Sequence, residues 1–404
     1  VWLSRDISQI IRRNTRLLSI GQALAMISMQ INSIIAPLAV LKLSGDFVLS
    51  GFVFSISWAG RVCVSYISGW LMDKTGRRPV LVLGGIITVI SLIMVGLLFL
   101  IGSIAGMIAS FFLYGIGTAI LTLNRVAITD MHREPSMGSA VGYLYTSSIV
   151  GSFTAIPFIA LLESFSRILL IDDYTTLWIG AAIVMLPVIL ATIMIDPDTK
   201  EIMKKVGNDS NISASNHASS TPKSIPIIAS FAVSALTSGI MVTMMSLLSL
   251  HMYGHGVPIT LITISITIHV IGMYMFSIPI GSFVDKLGAR VMMILGSLMT
   301  GTGGLFTPLT ANYFLTTFAI FLVGIGWSMS MIATTAFIAS FTEASLRGRV
   351  LGLNDMMIGV ASMTTPLVGG FVIGSYGFFV FGLYGFLLSI PATAFALTIR
   401  RRWL

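Results

Sequence analysis

Charge is what this chain has least of: 9% of its residues are charged while 55% are hydrophobic, and the mean hydropathy is +0.96. A soluble domain of this length needs far more polar surface, so the composition excludes one and implies a polytopic membrane protein. Cysteine is nearly absent. Cys63 alone excludes a disulfide framework and any Cys-x-x-Cys metal or redox module. No Walker-type phosphate loop occurs, which excludes an ATP-driven pump on this chain alone. No nucleophile, base and orienting acid fall at a recognisable spacing either. The expectation is therefore a protein that is not an enzyme and has no resident cofactor.

What the chain does have is apolar runs of about 20 residues, the length that crosses a bilayer as helix. Twelve can be counted, over 17–41, 47–70, 80–101, 106–129, 138–162, 175–195, 225–250, 257–282, 290–308, 313–340, 350–374 and 376–399. The first is too long for a secretory signal and reads as a span. An even number puts both termini on one side. Of the 23 basic residues, 19 fall in one set of loops, Lys42 and Arg167 fall in the other, and Arg61 and Arg125 lie within spans. By the positive-inside rule the basic side, with both termini, is cytoplasmic in an inner or plasma membrane. The net charge of +8 is thus a topology signal, and nucleic acid is not an expected partner. Residues 196–224 are rich in Ser and Asn and read as a cytoplasmic linker, with room for a short surface helix over 198–206. Six spans precede it (1–195) and six follow it (225–404).

The two halves repeat. Gly69-x-x-x-Asp73-Lys74-x-Gly76-x-Arg78, which also holds Arg77, recurs 212 residues later as Gly281-x-x-x-Asp285-Lys286-x-Gly288-x-Arg290, each copy between the second and third span of its half. This loop resembles the signature of the major facilitator superfamily, and the resemblance covers the whole chain. It implies an all-α membrane fold of twelve transmembrane helices in two pseudo-symmetric six-helix bundles. It further implies secondary transport by alternating access, with the substrate near the bilayer midplane, and a monomer. Thr365-Pro366-Leu367-Val368-Gly369-Gly370 in span eleven is similar to an element that facilitator antiporters carry in span five; here span five has only Gly151 and Pro157, at another spacing.

Two motifs in adjacent spans stand out. Met241-x-x-x-Met245 lies in span seven and His269-x-x-x-Met273 in span eight, each the single instance of its pattern. Positions i and i+4 share a helix face. Counted from the hairpin near Gly254, Met241 and His269 reach a similar depth, roughly 20 Å. Thioether and neutral imidazole favour Cu(I), while carboxylate and carbonyl oxygen favour harder ions. Methionine in a membrane helix is also ordinary packing material, and His269 can instead be satisfied by Ser265 or Thr267. The same four residues match the pattern of the CcoA-type copper importers, a branch of the superfamily whose cargo serves cytochrome oxidase assembly. That resemblance implies copper as transported substrate, bound by Met241, Met245, His269 and Met273. Cysteines that such importers use are missing here.

In the hairpin, His251, Met252 and His255 form a candidate outer capture site for metal. Arg61 lies about 18 Å from the basic surface, where it either binds an anionic solute or ties helices together. Arg125 and Asp355 are expected in the inner gate with the signature-loop residues Asp73 and Arg77. Only Asp355 and His269 are placed to carry a coupling proton. Three functional readings follow: copper import, proton-coupled transport of drugs or small organic solutes, and a non-transporting receptor or sensor with a transporter fold, for which a gate loop preserved in both halves is poor evidence.

Overall fold

A computed structural model describes residues 2–45, 47–132, 136–208, 225–257, 259–309, 312–343 and 345–399. Most of the expected linker, together with Arg133, Lys223 and Arg400 to Arg402, lies outside the described residues. The elements are α1 (Trp2–Ser44), α2 (Phe47–Thr75), α3 (Arg77–Leu100), α4 (Ile104–Thr122), α5 (Asn124–Met131), α6 (Met137–Leu169) and α7 (Asp173–Ile193), then α8 (Thr199–Asn208), α9 (Ile225–Gly254), α10 (Ile259–Tyr274), α11 (Ser277–Leu287), α12 (Ala289–Phe306), α13 (Tyr313–Phe341) and α14 (Arg347–Thr398).

Among the described residues, nine segments are long and apolar enough to cross a membrane. They correspond to more spans than nine, because Arg347–Thr398 is two helices meeting at Gly377, where φ is +79°. The expected spans 350–374 and 376–399 both lie in it. Spans one and two fall on α1 and α2. Span four is α4 with α5, span eight is α10 with α11, and α8 is the short linker helix. Large apolar side chains such as Leu97, Leu190 and Leu387, each at least half exposed, face outward. That suits a hydrocarbon solvent, in which helices satisfy their backbone internally.

Helix boundaries follow local chemistry. Asp172 accepts from Tyr174 N at 2.9 Å to start α7, and Asn312 accepts from Phe314 N and Leu315 N to start α13, so orphan N–H groups find side-chain acceptors. The chain divides into two compact units, Val1–Met131 with Ser147–Asn211, and His132–Thr146 with Ile212–Leu404. The first residues after α7 join the first unit for definite reasons. Arg13 donates to Met194 O, Asn14 donates to Pro197 O, and Asp198 accepts from the start of α3. The core of that unit is built around Ile31, Leu92, Phe111 and Trp178, all fully buried, and the Trp178 indole N–H donates to Asn32 Oδ1 at 3.2 Å.

Candidate substrate and gate sites

In the first unit, α2 and α4 touch backbone to backbone. A Cβ on Gly60 would lie 2.1 Å from Phe112 O, and one on Gly115 would lie 2.0 Å from Ser57 O; only glycine permits that approach. That closeness brings the Arg61 side chain of α2 against α4. Arg61 Nη1 donates to Thr118 Oγ1 at 3.1 Å, and Thr118 in turn donates to Tyr114 O at 2.9 Å. The guanidinium also lies 4.8 Å over the Trp58 ring, a favourable cation–π distance.

Beside this cluster is a void of about 30 Å³ lined by Gln22, Ser28, Thr88, Tyr114, Thr118 and Met185, among others. Ser28 Oγ is buried there with no hydrogen-bond partner. Gln22 donates to Ser148 Oγ at 2.9 Å and accepts from Asn124 Nδ2 at 2.7 Å, and both Gln22 and Asn124 line a second void of about 20 Å³. No carboxylate lines either one.

The repeated loops are alike in backbone and different in partners. Gly76 and Gly288 sit at φ +107° and +87°, the left-handed region that favours glycine. Arg77 is wholly buried between two carboxylates, with Nη1 2.7 Å from Asp73 Oδ1 and Nε 2.7 Å from Asp130 Oδ2. Asp198 accepts from Arg77 N at 3.2 Å and Arg78 N at 2.9 Å, which caps α3, while Lys200 donates to Asp73 O. In the second unit, Asp285 accepts from Gly138 N at 2.8 Å, Ser139 N at 2.9 Å and the Ser139 hydroxyl. A negative charge on a helix N-terminus is favourable. Gly69 belongs to α2, and Arg290 Nη2 donates to Leu397 O at 3.0 Å. Arg125 is buried on α5, and Asp355 is half-buried on α14 next to Asn354, which accepts from Ser234.

His269 is fully buried, with Nδ1 2.7 Å from Ile320 O on α13 and Nε2 without a hydrogen-bond partner. Its satisfied nitrogen is therefore bonded to backbone, while Ser265 is engaged with Thr317 Oγ1 at 2.6 Å. Gly324 makes the fit possible, since a Cβ there would lie 2.5 Å from His269 O and 3.0 Å from Met273 N. Met241 is buried and Met245 half-buried on α9. They share a helix face with Ser238, which accepts from Trp327 Nε1 at 3.1 Å, again on α13. The two motif-bearing helices thus both pack on α13, and α10 lies far more on α13 than on α9. Met252 and His251 are buried at the far end of α9, and His255 is exposed.

The sequence pattern of the Major Facilitator Superfamily matches residues 18–263 and 227–403. The chain belongs to that superfamily. This facilitator is 25% identical over 390 residues to the uncharacterized MFS-type transporter YdeG of Bacillus subtilis, covering 94% of this chain and 90% of that one. It is 23% identical over 387 residues to the riboflavin transporter RfnT of Brucella anthropi, covering 90% of each. Its fold matches the outward-facing crystal structure of a bacterial homologue of the iron transporter ferroportin with soaked iron, with a TM-score of 0.74 at 13% identity over 95% of this chain and 98% of that one.

The facilitator is accordingly an integral membrane protein and a secondary transporter, not an enzyme. Sequence reasoning missed three of its functional-looking residues. Asp130, Asp198 and Lys200 carry ordinary surface-type identities, although Asp198 immediately before the Thr199 helix is a recognisable capping signal.

Proposed function

We propose that this facilitator moves a small organic solute with an anionic or carbonyl-rich group, by alternating access, and that Arg61 is its main recognition charge. The observation that carries the reading is the Arg61 guanidinium resting on Trp58 and Thr118 in mid-helix. A positive charge at that depth is by default a functional candidate, and a guanidinium can bind a carboxylate through two parallel hydrogen bonds. Trp58 offers a flat face for a planar solute, and the Ser28 hydroxyl and the Gln22 and Asn124 amides offer further polar contacts. The carboxylate-free lining disfavours a cation. With room for one or two waters in the present voids, the solute enters only when the site opens. Riboflavin, the cargo of one relative, is itself a small carbonyl-rich planar solute.

Uptake into proteoliposomes tests the reading with matched panels of organic anions, neutral solutes and organic cations. Arg61→Gln should lower anion uptake about 10- to 100-fold, the worth of one charge-assisted hydrogen-bonded contact, with Arg61→Lys intermediate and the unfolding midpoint preserved. Full anion uptake by Arg61→Gln, or uptake confined to cations, overturns it.

His269 favours a second reading, copper import through Met241, Met245, His269 and Met273. Its support is the buried imidazole nitrogen without a hydrogen-bond partner, a soft-ion ligand type in a span. Cellular copper with the wild-type chain, with His269→Ala and without either decides it: equal copper in all three removes this reading.

A further inference from the structure

The end of α9 farthest from the linker brings two imidazoles together. His251 lies in the last full turn of α9, and His255 follows Gly254 at the i+4 position, before Gly256 turns the chain away at φ +75°. The ring centres are 4.5 Å apart, with planes inclined at 56°. His251 is almost fully buried and its ring meets Phe378 of α14 edge-on at 4.8 Å, whereas His255 is exposed.

We propose that His251 and His255 form a two-imidazole site for a divalent transition-metal ion of the zinc, nickel or copper(II) class. Two histidines at i and i+4 on a helix are a recurrent chelating arrangement, and His255, in the turn just past α9, keeps its ring beside that of His251. Geometry suits it: an ion about 2.0–2.1 Å from each ligating nitrogen lies about 3.2 Å from each ring centre. Rings 4.5 Å apart then subtend roughly a right angle at the ion. Opening them by less than about 1 Å gives the tetrahedral angle.

The tautomer is also prepared. His255 Nδ1 donates to His251 O at 2.9 Å, one of the carbonyls that a helix C-terminus leaves unsatisfied. Capping the helix uses that nitrogen only, and it leaves the lone pair on Nε2. A ligating histidine that donates its other N–H to a backbone carbonyl is the usual outer-shell pattern of metal sites. Among the described residues no group of three or more His, Cys, Asp or Glu side chains could hold a metal, so water or solute completes the sphere. The ion is therefore exchangeable, and it bridges the last turn of α9 to the turn that follows. This site is independent of the Arg61 reading and of the cargo.

The purified protein in detergent is titrated with zinc chloride, then nickel chloride, and the unfolding midpoint is followed at pH 7.5 before and after addition of a chelator. Zinc should raise the midpoint and the chelator should reverse the rise. His255→Gln, a change at the exposed member of the pair that keeps His251 against Phe378, should weaken apparent zinc affinity at least tenfold. No shift with either metal, or an equal shift in His255→Gln, overturns the proposal.

Discussion

Replacing Asp130 with Asn is the sharpest test of how the basic loop between α2 and α3 is held. The Arg77 and Asp130 side chains have no solvent exposure and that of Asp73 has 4%, and both contacts are 2.7 Å long. Removing one partner of a buried ion pair costs about 3–5 kcal/mol, mostly because the surviving charge is left uncompensated. Asn keeps the shape and one acceptor oxygen, and Asp73 still faces the guanidinium, so the low end applies. About 3 kcal/mol is roughly a 150-fold change in an equilibrium constant, or about 4 °C in the unfolding midpoint of a chain this size. Thermal unfolding of detergent-purified protein reads it. The decisive arm is the double variant Asp130→Asn with Arg77→Gln: Arg77→Gln strands both Asp73 and Asp130, so adding Asp130→Asn to it removes one stranded charge and should cost less than the same change does in the wild-type chain. A midpoint change below about 1 °C in the single variant, or strictly additive losses in the double, refutes the reasoning.

Backbone contact between helices makes a second set of expectations. Gly115→Ala and Gly142→Ala place a Cβ 2.0 Å from Ser57 O and 2.2 Å from Ser277 O, and each should cost about 1–3 kcal/mol by overpacking. Gly370→Ala meets nothing within 4 Å and should stay within about 0.5 kcal/mol; equal midpoints for all three would remove the close-approach argument. Asp285→Asn keeps an acceptor at the start of α6 and loses the charge, an effect of about 1 kcal/mol that salt should diminish. Unfolding at low and high ionic strength checks it, and a salt-independent loss contradicts the charge–dipole account. Asp198→Ala removes the acceptor for Arg77 N and Arg78 N and should cost about 1–2 kcal/mol. It should also speed tryptic cleavage within α8, and unchanged digestion kinetics would show that the cap does not hold the linker helix.

Much of this architecture was legible because it rests on periodic quantities. The length of each apolar run, the 212-residue repeat of the signature loop and the glycine at its turn are read along one strand of text, and both Gly76 and Gly288 do take positive φ. Choice of partner is a different kind of information. Asp73 and Asp285 occupy equivalent places in the repeat, yet the first grips Arg77 four residues on and the second caps α6 at Gly138 and Ser139. Locally, Ala289 stands where the first copy has Arg77, which leaves Asp285 without a cation four residues on; that its partners are instead Gly138 and Ser139 is set by packing. Asp130 meets Arg77 from 53 residues away for the same reason: burial of both comes from how α3 and α5 pack, not from the residues flanking either. The histidine motif shows the limit most clearly. Spacing of i and i+4 places His269 and Met273 on one face, but it cannot say which neighbour that face meets. Helix α13 presents Gly324 and the Ile320 carbonyl there, so one imidazole nitrogen is satisfied by backbone before any ion arrives. The remaining nitrogen is what a copper reading must use, whereas the Arg61 cluster already presents charge, ring and hydroxyl together. That difference in assembly is the physical ground for ranking the organic-solute reading first.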